Sequence, residues 1–392
     1  MSSSILKNIA KMSAAGSGKT WDICHDALES VKESDKRALI LSFTNRSCES
    51  ARNEIRKQNG GILHPRIVVN TWFKFLLSDM IKPYQLGITK GSINHIKSLD
   101  FSNPFGQINY HKKGSYARYI NSGNNVRSNY ASELAIFLND KSGGMTIKRL
   151  NDIYSNIFFD EIQDLVGYDI EILRLLIKSP ISITCCGDNK QATFKTHVSR
   201  KNKNQTGKNI WEFFNELERN KLLRIERNLS SRRFNWDICC FANAIYPDGD
   251  EITTIMEDIT EHDGVFLISE NDVRLYYNYF SPQVLRFDVR TTVDIQCLNF
   301  GICKGETFDR VLIYPNGPLN NFILKNMALD SPEKYYVGVT RPRYSLAFAM
   351  KNLPSRLVGY EKVSIVAGTH AIQALKYKSS KNSTNLNNSA YT

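Results

Sequence analysis

The sequence predicts an α/β protein whose parallel strands are joined by crossover helices, and three observations predict it. A continuous apolar run at 38–43 fits a strand buried on both faces, and Ile157-Phe158-Phe159 and Ile181-Ser-Ile-Thr-Cys-Cys read as further strands of the same sheet. Stretches of helical spacing at 21–31, 47–58 and 165–177 fall around them, the order of strands connected across the faces of one sheet. The 392 residues leave room for two or three domains, and strand-like runs return after about residue 215.

Composition narrows the class. With 42% hydrophobic and 23% charged residues the chain reads as soluble and globular. The excess of 51 Lys and Arg over 39 Asp and Glu, a net charge of +12, is larger than a solvated surface needs. It points to a polyanionic partner, nucleic acid before membrane. No apolar run is long enough to span a bilayer, and the glycine-bearing turn begins too early to leave room for a secretion signal. The expected location is the cytoplasm. Eight cysteines at 24, 48, 185, 186, 239, 240, 297 and 303 show no CxxC spacing, so zinc is not expected and they read as small core residues in a reducing compartment.

In chain order, 5–12 is the expected first strand and 13–20, Ser-Ala-Ala-Gly-Ser-Gly-Lys-Thr, the turn that follows. Gly16 and Gly18 let the backbone curl so that successive N–H groups, Ser17 included, face one concavity. The next helix adds its N-terminal partial charge. Lys19 is placed for β- and γ-phosphates and the Thr20 hydroxyl for Mg²⁺. A strand at 38–43, a helix from about 47 and a short strand at 67–69 ending in Asn70-Thr71-Trp72-Phe73 come next. From about 78 to 145 the character changes: Lys82, Lys90, Lys97, Lys112, Lys113, Arg118 and Arg127 interleave with Tyr84, Phe101, Phe105, Tyr110, Tyr116, Tyr119 and Tyr130. That mixture is either cations for phosphates with rings for bases, or a small subdomain with its own aromatic core.

The strand at 157–159 runs into Asp160-Glu161-Ile162-Gln163-Asp164. Two carboxylates at a strand end are what a phosphate loop needs beside it: Asp160 to hold Mg²⁺ through water, Glu161 to polarise the attacking water. The strand at 181–186 ends in Gly187-Asp188-Asn189-Lys190-Gln191, where Gln191 is either a γ-phosphate sensor or an ordinary loop amide. The basic loop 195–208, with Lys195, Arg200, Lys201, Lys203 and Lys208, is either a phosphate-backbone contact or a solvated turn. A second domain is expected from about 216, opening with Arg232-Arg233 and a helix to Asn243, then strands at 264–268, 292–298, 311–314 and 345–349.

Taken in order, these blocks resemble superfamily 1 helicases of the UvrD/Rep type over most of residues 9–350. The resemblance implies two RecA-like domains, ATP in the cleft between them and single-stranded DNA across their tops. It implies that Gly16, Ser17, Gly18, Lys19 and Thr20 bind phosphates and Mg²⁺, with Asp160 on the metal, Glu161 as general base and Gln191 as sensor. Phe43-Thr44-Asn45 and Thr71-Trp72 resemble strand-contacting blocks, and Phe194 stands at the family's aromatic position after the sensor. Ser231-Arg232-Arg233-Phe234 resembles the second domain's first block, with Arg233 on the γ-phosphate and Arg232 where an adenine-stacking aromatic is usual. Lys304-Gly305 and Phe308-Asp309 resemble the coupling block, and Thr340-Arg341 the last, with Arg341 as arginine finger. The family's adenine-reading Gln is absent, since no Gln precedes Gln58, and so is its large second-domain insertion.

The implied activity is a DNA-dependent ATPase or helicase that uses ATP and Mg²⁺ and translocates on single-stranded DNA, 3′ to 5′, or acts on a tailed duplex. The alternative is an ATP-switched DNA-sensing subunit that licenses a partner nuclease of the OLD family, by analogy with Gabija-like phage defence. No membrane partner is expected. The expected domains are 1–77 with 146–215 as the first RecA-like domain, an inserted subdomain 78–145 as a candidate DNA contact, a second RecA-like domain 216–377 and a disordered tail 378–392.

Overall fold

The computed structural model describes residues 6–89, 95–102, 110–197, 199 and 201–379. Lys90, Phe105, Arg200 and the tail from 380 lie outside the described residues. Two compact units result, one running to Ser13 and from Gly18 to Asn228, the other comprising Ala14–Ser17 and the chain from Leu229.

The first unit holds a six-stranded sheet of β1 (Ile9–Ser13), β2 (Arg37–Ser42), β3 (Ile67–Thr71), β4 (Tyr154–Phe159), β5 (Ser182–Gly187) and β6 (Arg224–Asn228). Its order is β3-β2-β4-β5-β1-β6, and every pairing is parallel. The apolar runs became strands because both sheet faces are covered. Helices α1 (Lys19–Glu33) and α2 (Asn45–Gln58) pack Ile23, Ala27, Val31, Ala51 and Ile55 against Ala38, Ile40, Val69 and Phe158.

Several boundaries differ from the sequence reading. Strand β1 begins at Ile9 rather than 5, and α1 starts two residues before Trp21, directly after Gly18. The first unit does not end at 215: helix Ile210–Arg219 leads to β6, which pairs with β1 from Ile9↔Arg224 to Ser13↔Asn228. Arg-Ile-Glu-Arg-Asn is polar enough to hide a strand because β6 is an edge, with one side open to water. The segment from 78 to 145 belongs by contact to the first unit. There Arg118 grips Glu133 through Nε and Nη2 at 3.1 and 3.0 Å and lies 4.9 Å from the Tyr130 ring, while Tyr119 is buried.

The second unit contains β7 (Gly264–Ser269), β8 (Gln283–Arg286), β9 (Leu298–Asn299), β10 (Phe308–Tyr314), β11 (Pro342–Met350), β12 (Tyr360–Ala367) and β13 (His370–Tyr377), ordered β9-β8-β10-β11-β7-β13-β12. The first five pair in parallel, and β12 and β13 add an antiparallel hairpin. The strand expected at 292–298 is reduced to Leu298–Asn299, and β8 and the hairpin are additions. Of the tail expected at 378–392, residues 378 and 379 are described, and the Lys378 N–H donates to Gly359 O at 2.8 Å. Cys240 and Cys297 are half-buried rather than core, while the other six cysteines are buried.

Candidate functional site

Parallel pairing puts the carboxyl ends of β1 to β5 on one edge of the first sheet. After β1 the chain crosses to β2, and after β5 it crosses the other way to β6. The neighbours β1 and β5 therefore leave the sheet in opposite directions, and the crevice outside their ends is where open parallel sheets take ligands.

The turn after β1 needs its glycines. Gly16 and Gly18 adopt φ of 75° and 100°, conformations that side-chain-bearing residues avoid. Gly18 is the N-cap of α1 and offers no side-chain bond, so the first N–H groups of the helix stay aimed at the crevice. Lys19 opens α1 and reaches back to Ser13 O at 3.4 Å, and Thr20 follows it, half-exposed.

The carboxylates come from the next strands along. Asp160 follows β4, with its N–H on Leu41 O at 2.9 Å and its side chain buried. Glu161 has φ 58°, the left-handed region, without being Gly or Asn. That costs on the order of 1–2 kcal/mol and turns the chain out of the strand line into the short helical turn Ile162–Asp164. Such strain persists only where surroundings hold it, and Gln163 does: its amide donates to Glu161 Oε2. Gln163 Oε1 in turn accepts the Asp188 N–H at 3.1 Å, linking the end of β4 to the end of β5. Asp188 Oδ2 accepts the Gln191 amide at 2.8 Å. Glu161, Gln163, Asp188 and Gln191 thus form one connected network. Gln163 and Asp188 were not singled out from sequence; their only signal there was position, one inside each block already noted.

The charges in the crevice feel one another. Burial raises the Asp188 carboxyl above its ordinary value, Lys19 opposes the rise and Glu161 adds to it. Burial, with Asp160 nearby, pushes the Cys24 thiol up to about 12, so Cys24 stays neutral and unreactive.

The residues expected to contact a strand lie after β2, β3 and β5, on the same edge. Phe43 is half-buried, and Thr44 caps α2 by accepting the Ser47 N–H at 3.0 Å, with Asn45 exposed beside it. Thr71 caps the turn after β3. Phe194 is 44% exposed, open enough to stack on a base. Trp72 is not: it is 1% exposed, with its indole N–H on Asp169 Oδ1 at 3.0 Å. Its place is the core of the first unit, because only there does the N–H meet a buried acceptor.

In the second unit, Arg233 and Arg341 converge on Thr340. Arg233 is half-buried, and its Nη1 donates to Thr340 O at 3.1 Å. Arg341 is 1% exposed, donating from Nε to Val337 O at 2.7 Å, from Nη1 to Glu306 O at 3.2 Å and from Nη2 to Thr340 Oγ1 at 3.1 Å. It caps the C-terminus of the helix Pro332–Val339 and ties down the loop carrying Gly305, whose φ is 88°. The expected arginine finger is thus engaged inside its own unit. Arg232 is exposed.

No protein-family model and no curated protein matches the sequence. Among solved structures, the chain is similar to Arterivirus nonstructural protein 10, a helicase, at 14% identity and a TM-score of 0.46, over 88% of this chain and 59% of that one. A structure of Arterivirus nonstructural protein 10 (helicase) with DNA is similar at 14% identity and a TM-score of 0.44, over 88% of this chain and 61% of that one. The chain spans about three fifths of the length of these helicases.

Proposed function

We propose that the chain is a DNA-stimulated ATPase of the helicase type that moves along single-stranded DNA, 3′ to 5′. One observation carries the reading. A glycine-bearing loop that opens a helix and two strand-end carboxylates, one held in a left-handed conformation, meet at the sheet edge where β1 and β5 diverge. In this reading Gly16, Ser17, Gly18 and Lys19 bind the phosphates, Thr20 and Asp160 hold Mg²⁺, and Glu161 takes the proton of the attacking water. Mg²⁺ supplies charge neutralisation on the phosphates. Gln191, fixed by Asp188, reads the γ-phosphate. Arg233 and Arg341 meet the charge that develops on it, Gly305 lies in the coupling loop, and Arg232 stacks on the base. Phe43, Thr44, Asn45, Thr71 and Phe194 grip the strand.

The second reading is an ATP-switched DNA sensor that licenses a partner nuclease in the cytoplasm. The inward engagement of Arg341 favours it, since a finger tied to Val337 and Glu306 gives slow turnover until it is released.

The deciding test is ATPase rate with and without single-stranded DNA, followed by strand displacement on a tailed duplex. Stimulation with strand displacement supports the motor, and stimulation without it supports the sensor. A chain whose Lys19→Ala variant hydrolyses ATP normally is neither. DNA affinity should fall steeply with salt, given the +12 charge, and Phe43→Ala should weaken it by about 1–3 kcal/mol.

A further inference from the structure

We propose that a cavity at the amino edge of the second unit's sheet binds a nucleoside phosphate, with its base against Tyr277 and Phe280 and its phosphate on Arg310. The site goes beyond the ATPase reading and uses none of its residues. It lies between the helix Val273–Phe280, the start of β8 and the start of β10. Its volume is about 710 Å³, inside the range of roughly 300–1,000 Å³ of small-molecule sites.

Three features of the wall set the ligand's chemistry. The first is the aromatic side. Phe280 is held by the His262 ring stacked 4.2 Å away at 24°, which rests on Phe266 at 4.5 Å and shares a 2.8 Å hydrogen bond with the Tyr276 hydroxyl. Burial, reinforced by Arg310 and Lys376, pushes His262 down to about 3. It is neutral at physiological pH and acts as packing. A ring fixed in this way gives the cavity a rigid aromatic wall beside Tyr277.

The second is Arg310. Its guanidinium lies 5.8 Å from the Phe280 ring centroid, and Nη2 donates to Thr260 Oγ1 at 3.3 Å. Nε is buried without a hydrogen-bond partner, and no carboxylate among the described residues pairs with the group. The adjacent Asp309 carboxylate lies 4.0 Å from Arg343 instead. Nε is shut off from the cavity, so an oxyanion would meet this half-buried guanidinium at its outer nitrogens Nη1 and Nη2.

The third is the pair of amides lining the opening, Gln283 and Gln296. Gln283 spends one amide N–H on Val284 O at 3.1 Å, which leaves it, like Gln296, a donor and an acceptor, the complement of a base edge. Aromatic wall, unpaired guanidinium and amides together select a ring bearing both hydrogen-bonding groups and a phosphate. The ligand is either a free nucleotide or one nucleotide of a strand.

The test uses the full chain carrying Lys19→Ala, so that the phosphate loop does not contribute, with adenosine monophosphate as probe in calorimetry. Binding is expected, with an affinity loss of about tenfold or more in Arg310→Gln and partial recovery in Arg310→Lys. Competition by oligothymidylate identifies a strand-borne nucleotide, and its absence a free one; both keep the site. Equal affinity in Arg310→Gln and its parent, or no binding by the parent, overturns it. Because Arg310→Gln can fail to fold, the unmodified chain is also photolabelled with 8-azido-adenosine monophosphate. Label on the peptide containing Tyr277 and Gln283 supports the site, and label confined to other peptides overturns it.

Discussion

The Trp72 indole N–H donates to Asp169 Oδ1 at 3.0 Å, and both residues lie inside the first unit, 1% and 0% exposed. The same carboxylate accepts the Ser132 and Thr196 hydroxyls and the Val166 N–H at 3.1 Å. One buried charge therefore pins the turn after β3, the helix Ala131–Lys141, the loop after β5 and the start of the helix Tyr168–Lys178. Asp169→Ala leaves those neutral donors unanswered, and each buried donor without a partner costs about 1–3 kcal/mol. Trp72→Phe, which loses one charge-assisted bond and keeps most of the ring, should cost about 1.5–3 kcal/mol. Denaturant midpoints measure both; an unmoved midpoint in Asp169→Ala would show that the carboxylate does not hold these segments.

Glu161→Gln should retain ATP binding and lose turnover by roughly 10²–10⁴-fold, the usual size of a general-base contribution. Lys19→Ala should lose binding as well, since its charge serves the ground state. Nucleotide affinity and single-turnover hydrolysis separate the two. Near-normal hydrolysis in Glu161→Gln would remove that residue from the role of base.

Arg341 and Arg233 should part company in stability. Arg341→Ala strips donors from Val337 O, Glu306 O and Thr340 Oγ1 and empties a buried site, so its unfolding midpoint should drop clearly. Arg233→Ala releases the Thr340 carbonyl from a half-buried side chain and should move it less. Both should lower turnover, by roughly 10³-fold or more for a true arginine finger. Calorimetric scans beside ATPase rates test this, and equal midpoints would mean that the engagement of Arg341 carries no stability.

Asp188 makes a signed prediction with pH. Burial raises its folded-state pKa, so the folded chain keeps this proton to higher pH than the unfolded chain. Stability falls as pH climbs from the ordinary carboxylate value through the raised one, and the penalty is fully present above it. Asp188→Asn removes that component. The variant should therefore gain on the parent as pH rises from about 4 to about 7, across the carboxylate range. Urea denaturation at both ends measures it, and an unchanged difference would show that this carboxyl is not the source.

The sequence alone determined the first unit's central strands, the turn at 13–20, and the carboxylates and glutamine at the ends of β4 and β5. Those signals are local: an apolar run buries itself wherever a sheet forms, and Gly16 and Gly18 mark positive φ whatever surrounds them. Only the tertiary structure decided which side of β1 carries the polar strand Arg224–Asn228. It also decided that Trp72 turns inward to Asp169, that Arg341 spends its donors on Val337 and Glu306, and that Gln163 bridges Glu161 to Asp188. Each of these rests on a partner distant in the chain, at 97 residues for Trp72 and Asp169 and 35 for Arg341 and Glu306. A polar side chain's free energy depends on whether an acceptor meets it on burial. That acceptor is supplied by the fold, so the same indole or guanidinium reads as a ligand contact in the sequence and as a core fastening in the folded chain.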